Sequence, residues 1–155
     1  MNDKAKMIVG RYTTMGNGFT FLEHTADILI RAWGRTIDEA FEQAGRALFE
    51  IMTDISELKS KIKYTFKLEA EDLQSLLYDY LDELIYIFDA ERIAFTEFKV
   101  RIKEVPRCSL DCEAWGEKFD PQRHVQKTEV KAPTYAQMEI GQEHEKITLQ
   151  YVLDI

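Results

Sequence analysis

The chain contains no run of eighteen or more apolar residues, which excludes a helical membrane span. Its first ten residues, Met1 to Gly10, are polar and carry Lys4 and Lys6. They lack the apolar centre and small-residue cleavage site of a secretory signal, so a cytoplasmic protein is expected. Cysteine is nearly absent. Cys108 and Cys112 are the only two, and a disulfide is disfavoured in the cytoplasm. A zinc site would need a second Cys/His pair at useful spacing, and His124 stands alone downstream. If Ser109 to Ala114 is a strand, both cysteines share one face and read as small buried hydrophobes. Glycine (7) and proline (3) are scarce and form no linker, so one domain is expected. There is no P-loop, no glycine-rich dinucleotide fingerprint, no Gly-x-Ser-x-Gly elbow and no His-Glu-x-x-His. These absences argue against a self-contained enzyme of a common class.

What is present suits a compact α+β domain. The 155 residues are 45% apolar and 31% charged, enough to bury a core. The formal net charge is −8. Non-specific nucleic-acid binding relies on lysine and arginine neutralising phosphates. An acidic chain is therefore expected not to grip nucleic acid strongly by itself, and to suit a basic protein surface or a cation.

Periodicity marks the elements. Met1 to Gly18 shows little pattern and reads as a partly mobile lead-in to a single domain over residues 19–155. Phe19 to Glu23 and Ile28 to Trp33 read as short strands around a His-Thr-Ala-Asp break. Thr36 and Glu39 form a capping box before a helix whose stripe is Ile37, Ala40, Phe41, Ala44, Leu48, Ile51 and Met52. Lys61 to Glu69 alternates as a half-buried strand. Asp72 to Phe88 reads as a second helix with a wide apolar face. Phe95 to Lys103, Ser109 to Gly116, Thr128 to Ala132, Ala136 to Ile140 and Lys146 to Leu153 follow as strands, with a turn over Gly141 to Lys146. This order predicts a largely antiparallel sheet with two helices packed on one side.

Two places carry candidate chemistry. His24 and Asp27 lie three residues apart, a spacing that suits an acid–base pair or metal ligation. On these four residues alone a simple turn, with Asp27 capping local amides, is the favoured alternative. At the other end, Asp154 and Ile155 close the chain on a strand, putting a side-chain carboxylate next to the main-chain one. Such a terminus stays ordered only with positive charge nearby. If the last strand returns beside the first, Asp27, Asp154 and the terminal carboxylate form a hard-oxygen set. That set suits Ca²⁺, Mg²⁺ or Mn²⁺ better than zinc. Lys127 and Lys131, four apart on the expected strand, share a face with Glu129. They read either as solvated charges or as counter-charges to the carboxylates. His124 and His144 lie in polar loop contexts and are given no role.

These segments together resemble the archease family. The likeness runs through Glu23-His-Thr-Ala-Asp27, Ala32-Trp-Gly34, Thr36-Ile-Asp-Glu-Ala-Phe41, Met52-Thr-Asp54 and Glu71 to Leu84. It continues through Gly116-Glu-Lys-Phe119, Lys127-Thr-Glu-Val-Lys-Ala132 and Leu153-Asp-Ile155, in that order. The resemblance implies a strand–helix–strand–strand core with an inserted strand–helix unit. It also implies a non-catalytic cofactor of the RtcB-type RNA ligase, promoting its GTP- and metal-dependent guanylylation and multiple turnover in tRNA splicing and RNA repair. An RNA helicase is a further candidate partner, and a chaperone-like service to other RNA-processing or modifying enzymes is the alternative.

Residue by residue, the resemblance implies that Asp27, Asp154 and the main-chain oxygen of Ile155 hold a divalent cation. Lys131 and His24 would then act on the partner. Two departures stand out. Pro133 removes an amide and suggests an edge strand, and Ala136 replaces a histidine common in the family. The residues before Phe19 have no counterpart in the family pattern.

Overall fold

The computed structural model describes residues 8–14, 16–23 and 27–155. Among them are eight strands and two α-helices. They are β1 (Ile8–Thr14), β2 (Asn17–Glu23), β3 (Asp27–Gly34), α1 (Ile37–Met52), β4 (Ile62–Ala70), α2 (Leu73–Glu91), β5 (Ile93–Lys103), β6 (Cys108–Lys118), β7 (Ala132–Glu143) and β8 (Lys146–Asp154), with a single 3₁₀ turn at Ile55–Glu57. The strands form two antiparallel sheets, of order β1-β2-β3-β8-β7 and β4-β6-β5. Both helices contact both sheets. No helix among the described residues is long and apolar enough to cross a membrane.

Both helices start where the sequence supplies an oxygen for the orphan amides of the first turn. Thr36 Oγ1 accepts from the Glu39 N–H at 3.1 Å, and Glu39 returns a bond to the Arg35 N–H at 2.8 Å. The return bond of the expected capping box therefore lands one residue earlier. Asp72 Oδ1 accepts from Ser75 N–H at 2.8 Å and begins α2. That helix ends on Arg92, which turns left-handed (φ 56°) and closes the last turn with a 2.9 Å bond to Phe88 O. Gly34 is required where β3 meets α1, because a Cβ there would stand 2.5 Å from Glu39 Cβ.

The core lies between the helices and the inner sheet faces. α1 buries Ala40, Phe41, Ala44, Leu48, Ile51 and Met52 of the stripe read from periodicity, with Ile37 half-buried at its start, against Phe19, Phe21, Ile30, Ala32, Leu149, Tyr151 and Leu153. The buried Tyr151 hydroxyl donates to Ala44 O at 3.1 Å, which satisfies a polar group that would otherwise be costly inside. Helix α1 also covers the open edge of β5. Glu42 accepts from Val100 N–H (2.9 Å) and Asp38 from Ile102 N–H (3.0 Å). Burial raises the pKa of Glu42, and the bond from Val100 only partly offsets it. An edge strand with bonded amides cannot recruit a foreign strand.

The structure corrects the expected elements in three places. The segment before Phe19 contributes β1, paired to β2, and β2 itself begins at Asn17. Thr128 to Lys131 is not a strand. It docks on the end of α1 through Lys127 N–H to Met52 O (3.0 Å) and Thr128 N–H to Ile51 O (3.1 Å). The two strands expected around Ala132 and Ile140 are one strand, β7, with a bulge between Thr134 and Glu139. Its turn to β8 is correspondingly short, only His144 and Glu145. Pro133 does lie on an edge strand, since β7 ends the five-stranded sheet. Cys108 and Cys112 are free and buried.

A candidate carboxylate site where three strands end

β3 begins with Asp27 and β8 ends with Asp154, and the two residues are direct partners in the antiparallel ladder. Ala132, the first residue of β7, pairs with Asp154 from the other side, and Lys131 donates its N–H to Asp154 O at 2.8 Å. Directly opposed residues point to the same face, with Cβ atoms about 5 Å apart. The face is the outer one, away from α1. Along β3 it carries Asp27, Leu29, Arg31 and Trp33, while Ile30 and Ala32 enter the core. Leu29 and Val152 form a small buried pair beside the carboxylates. Asp27 is half-buried, Asp154 and Lys131 are exposed, and Ile155 packs against the core.

The register therefore brings together Asp27, Asp154, Ile155 and the Lys131 backbone. His24 lies outside the described residues. Among the described residues no group of three or more His, Cys, Asp or Glu gathers as a metal cluster, so the side-chain donors here are the two carboxylates. Two like charges directly across a ladder are unfavourable by themselves. This is the arrangement that a divalent cation with oxygen ligands relieves. Carboxylate and main-chain oxygens are the donor type that Ca²⁺, Mg²⁺ and Mn²⁺ take.

Lys127 is not part of this site. Its ammonium donates to Glu50 Oε2 at 2.7 Å and to Glu50 O at 3.0 Å. Glu50 is buried and also accepts from Ile55 N–H at 3.1 Å. A buried carboxylate is tolerated because it is paired and bonded in this way. With Thr53 donating to Val125 O at 2.6 Å, the pair ties residues 125–128 to the end of α1. Val130, buried at 3% exposure, continues this docking and leads Lys131 to Asp154.

Sequence reasoning missed a second buried network in the same loop. His124, given no role, is 3% exposed. Its Nδ1 accepts the Asp120 N–H at 2.9 Å, so Nε2 carries the proton and donates to Glu117 Oε2 at 3.1 Å. Glu117 also accepts from Arg123 and from the Lys59 N–H at 2.8 Å. Burial pushes the Glu117 pKa up, but the Lys59, Arg123 and His124 donors outweigh it and hold the carboxyl at about 2. The only local signal was the Asp120-Pro-Gln-Arg-His124 spacing, which suits a turn.

An α+β protein of two antiparallel sheets, with two aspartates meeting where the first and last core strands end, defines the class. The chain belongs to the archease family: the archease protein family (MTH1598/TM1083) matches residues 19–155. It is 45% identical to the archease of Sulfurisphaera tokodaii over 137 residues, covering 88% of this chain and 98% of that one. With the archease of the fish Ictalurus punctatus it is 34% identical over 157 residues, covering 100% of this chain and 96% of the relative. That alignment takes in the segment before Phe19, which the family pattern left without a counterpart. The solution structure of Methanobacterium thermoautotrophicum protein 1598 superposes with a TM-score of 0.79 at 40% identity, covering 88% of this chain and 98% of that one. A Thermotoga maritima archease, described as a possible chaperone, shares the fold with a TM-score of 0.58 at 21% identity, covering 86% of this chain and 94% of that one.

Proposed function

We propose that this chain is a cytoplasmic, non-catalytic activator of an RtcB-type RNA ligase, promoting guanylylation of the ligase by GTP. Such a ligase joins 3′-phosphate or 2′,3′-cyclic phosphate ends to 5′-hydroxyl ends in tRNA splicing and RNA repair. The observation that carries the reading is the direct pairing of Asp27 with Asp154 across the β3–β8 ladder. Asp27, Asp154 and the main-chain oxygen of Ile155 would hold a divalent cation, Ca²⁺, Mg²⁺ or Mn²⁺. When bound, the cation supplies positive charge for the phosphates of a nucleotide.

The chain's own residues do the rest. The β3–β8 ladder fixes the two carboxylates against each other. The Glu50–Lys127 and Glu117–His124 networks brace the loop that delivers Lys131. The Lys131 side chain, exposed on the residue whose N–H bonds Asp154 O, neutralises phosphate charge in the partner's site, and His24 also acts on the partner. The groups are held on rigid strands and offered outward, as a protein completing another enzyme's site requires.

The test is single-turnover guanylylation of the cognate ligase by GTP and Mn²⁺, with wild type and with Asp154→Ala. Strong acceleration by wild type alone is the expected result. Acceleration by both would keep the activator role and remove the site from it. No acceleration by either would leave a chaperone-like service to other RNA-processing enzymes.

A further inference from the structure

Farther along the same outer face the five-stranded sheet carries a groove of about 620 Å³, lined chiefly by Arg31 and Trp33 of β3, Glu139 and Glu143 of β7, and Lys146 and Thr148 of β8. This is within the size range of small-molecule sites. The carboxylate site uses none of these residues.

Three features show that the groove is built. The first is the β7 bulge, where Gln137 takes a left-handed conformation (φ 57°). Such backbone in a residue other than glycine persists only when its surroundings impose it. Gln137 O accepts from Gln150 Nε2 at 2.9 Å, and Gln150 Oε1 accepts from Arg31 Nε at 2.9 Å. The bulge therefore fixes Gln150, and Gln150 orients the guanidinium while leaving its two terminal nitrogens without a bond among the described residues. The second is the Thr148 hydroxyl, which is buried and has no hydrogen-bond partner among the described residues. The third is the aromatic wall. Lys146 Nζ lies 5.2 Å from the Trp33 ring centre. Gly141 is the ladder partner of Thr148, which itself pairs with Trp33, and a Cβ at Gly141 would meet nothing within 4 Å. Packing does not require that glycine, and its missing side chain leaves the row beside the ring open.

We propose that this groove binds a nucleoside phosphate, with the base against Trp33 and the phosphate on Arg31 and the Thr148 hydroxyl. A guanidinium oriented through Nε presents its fork to an anion with planar geometry. Trp33 offers a stacking face that every base can use. Arg31 and Trp33 are two residues apart on one strand face, about 6.7 Å, a span that a nucleoside monophosphate bridges. Lys146 lies on the far side of Trp33 from Arg31, with its ammonium against the ring, and Glu139, in the same ladder row as Gln150 and Arg31, accepts from a ribose hydroxyl. A single oriented guanidinium on the phosphate side suits a singly phosphorylated unit better than a dense polyanion. The ligand is either a free nucleotide or one nucleotide of an RNA strand.

Fluorescence titration tests this without any ligase, so its outcome is separate from that of the activator reading. In a Trp115→Phe background Trp33 is the sole tryptophan and reports stacking directly. GMP and a uridine hexaribonucleotide are the two probes. Saturable quenching by both identifies the mononucleotide as the recognised unit. Quenching by the hexamer alone identifies an RNA strand as the source. In either case Arg31→Gln weakens binding about tenfold or more and Thr148→Val several-fold, while circular dichroism shows both variants folded. No saturable quenching by either probe up to millimolar concentration overturns the proposal. So does undiminished binding by both variants, or loss of binding in Asp27→Asn, which would place the ligand at the carboxylate site instead.

Discussion

Replacing Glu117 by Gln should destabilise the protein strongly at neutral pH and hardly at all in acid. The wild-type carboxyl is held at about 2 against an ordinary 4.5. At about 1.4 kcal/mol per unit, that depression corresponds to about 3 kcal/mol of stability in the ionised state. Arg123, one of its donors, is 45% exposed, so salt screens its share. The expected loss for Glu117→Gln is therefore about 2–3 kcal/mol, or a fall in Tm of roughly 4–12 °C for a chain of this size. The sign follows from the direction of the shift. A carboxyl whose folded pKa is depressed contributes fully above its unfolded value and loses that contribution as pH falls through its folded value. The wild type should thus lose this increment between about pH 5 and pH 2, and the gap to Glu117→Gln should close over the same interval. Urea unfolding at pH 7, 5 and 3 measures it. Equal stability of the two proteins at pH 7, or a gap unchanged at pH 3, would refute the reasoning. The first result would mean that burial cancels the donors, and the second that the loss comes from packing.

Two further outcomes are expected. Lys127→Met leaves the buried Glu50 carboxylate without its cation; because the lysine is 35% exposed, the cost should sit near or below the lower end of the 3–5 kcal/mol typical of broken buried pairs, read by denaturant unfolding. Asp154→Asn removes the like-charge opposition across the ladder, so the cation-free protein should gain about 0.2–1 kcal/mol while losing the rise in Tm that Ca²⁺ or Mn²⁺ confers on wild type, both read in one thermal-shift series; an undiminished rise would move the cation away from Asp154.

The helices were legible because their signals are local. Thr36 and Asp72 cap amides three residues away, and the α1 stripe repeats every three or four residues, so each pattern needs only its own neighbourhood to be read. Alternation likewise exposed β4 and β5. Legibility failed at Thr128 to Ala132, which read as a strand. There Val130 is buried because the segment docks on the end of α1, and a buried apolar residue in an extended loop leaves the same trace as one in a sheet. His124 failed for the opposite reason: polar neighbours indicated a solvated turn, yet those neighbours are what bury it.

The candidate site divides in the same way. The types of residue that could hold a cation, aspartates at the start of β3 and the end of β8, were set by the sequence alone, because oxygen chemistry belongs to the side chain. That Asp27 faces Asp154, that Lys131 and not Lys127 arrives beside them, and that Arg31 is oriented through a bulge in β7 were decided only by the tertiary structure. Each depends on a register between strands from opposite ends of the chain. Registers of that range are set by how the whole core packs, since a slip of one residue would turn every buried side chain of β8 outward.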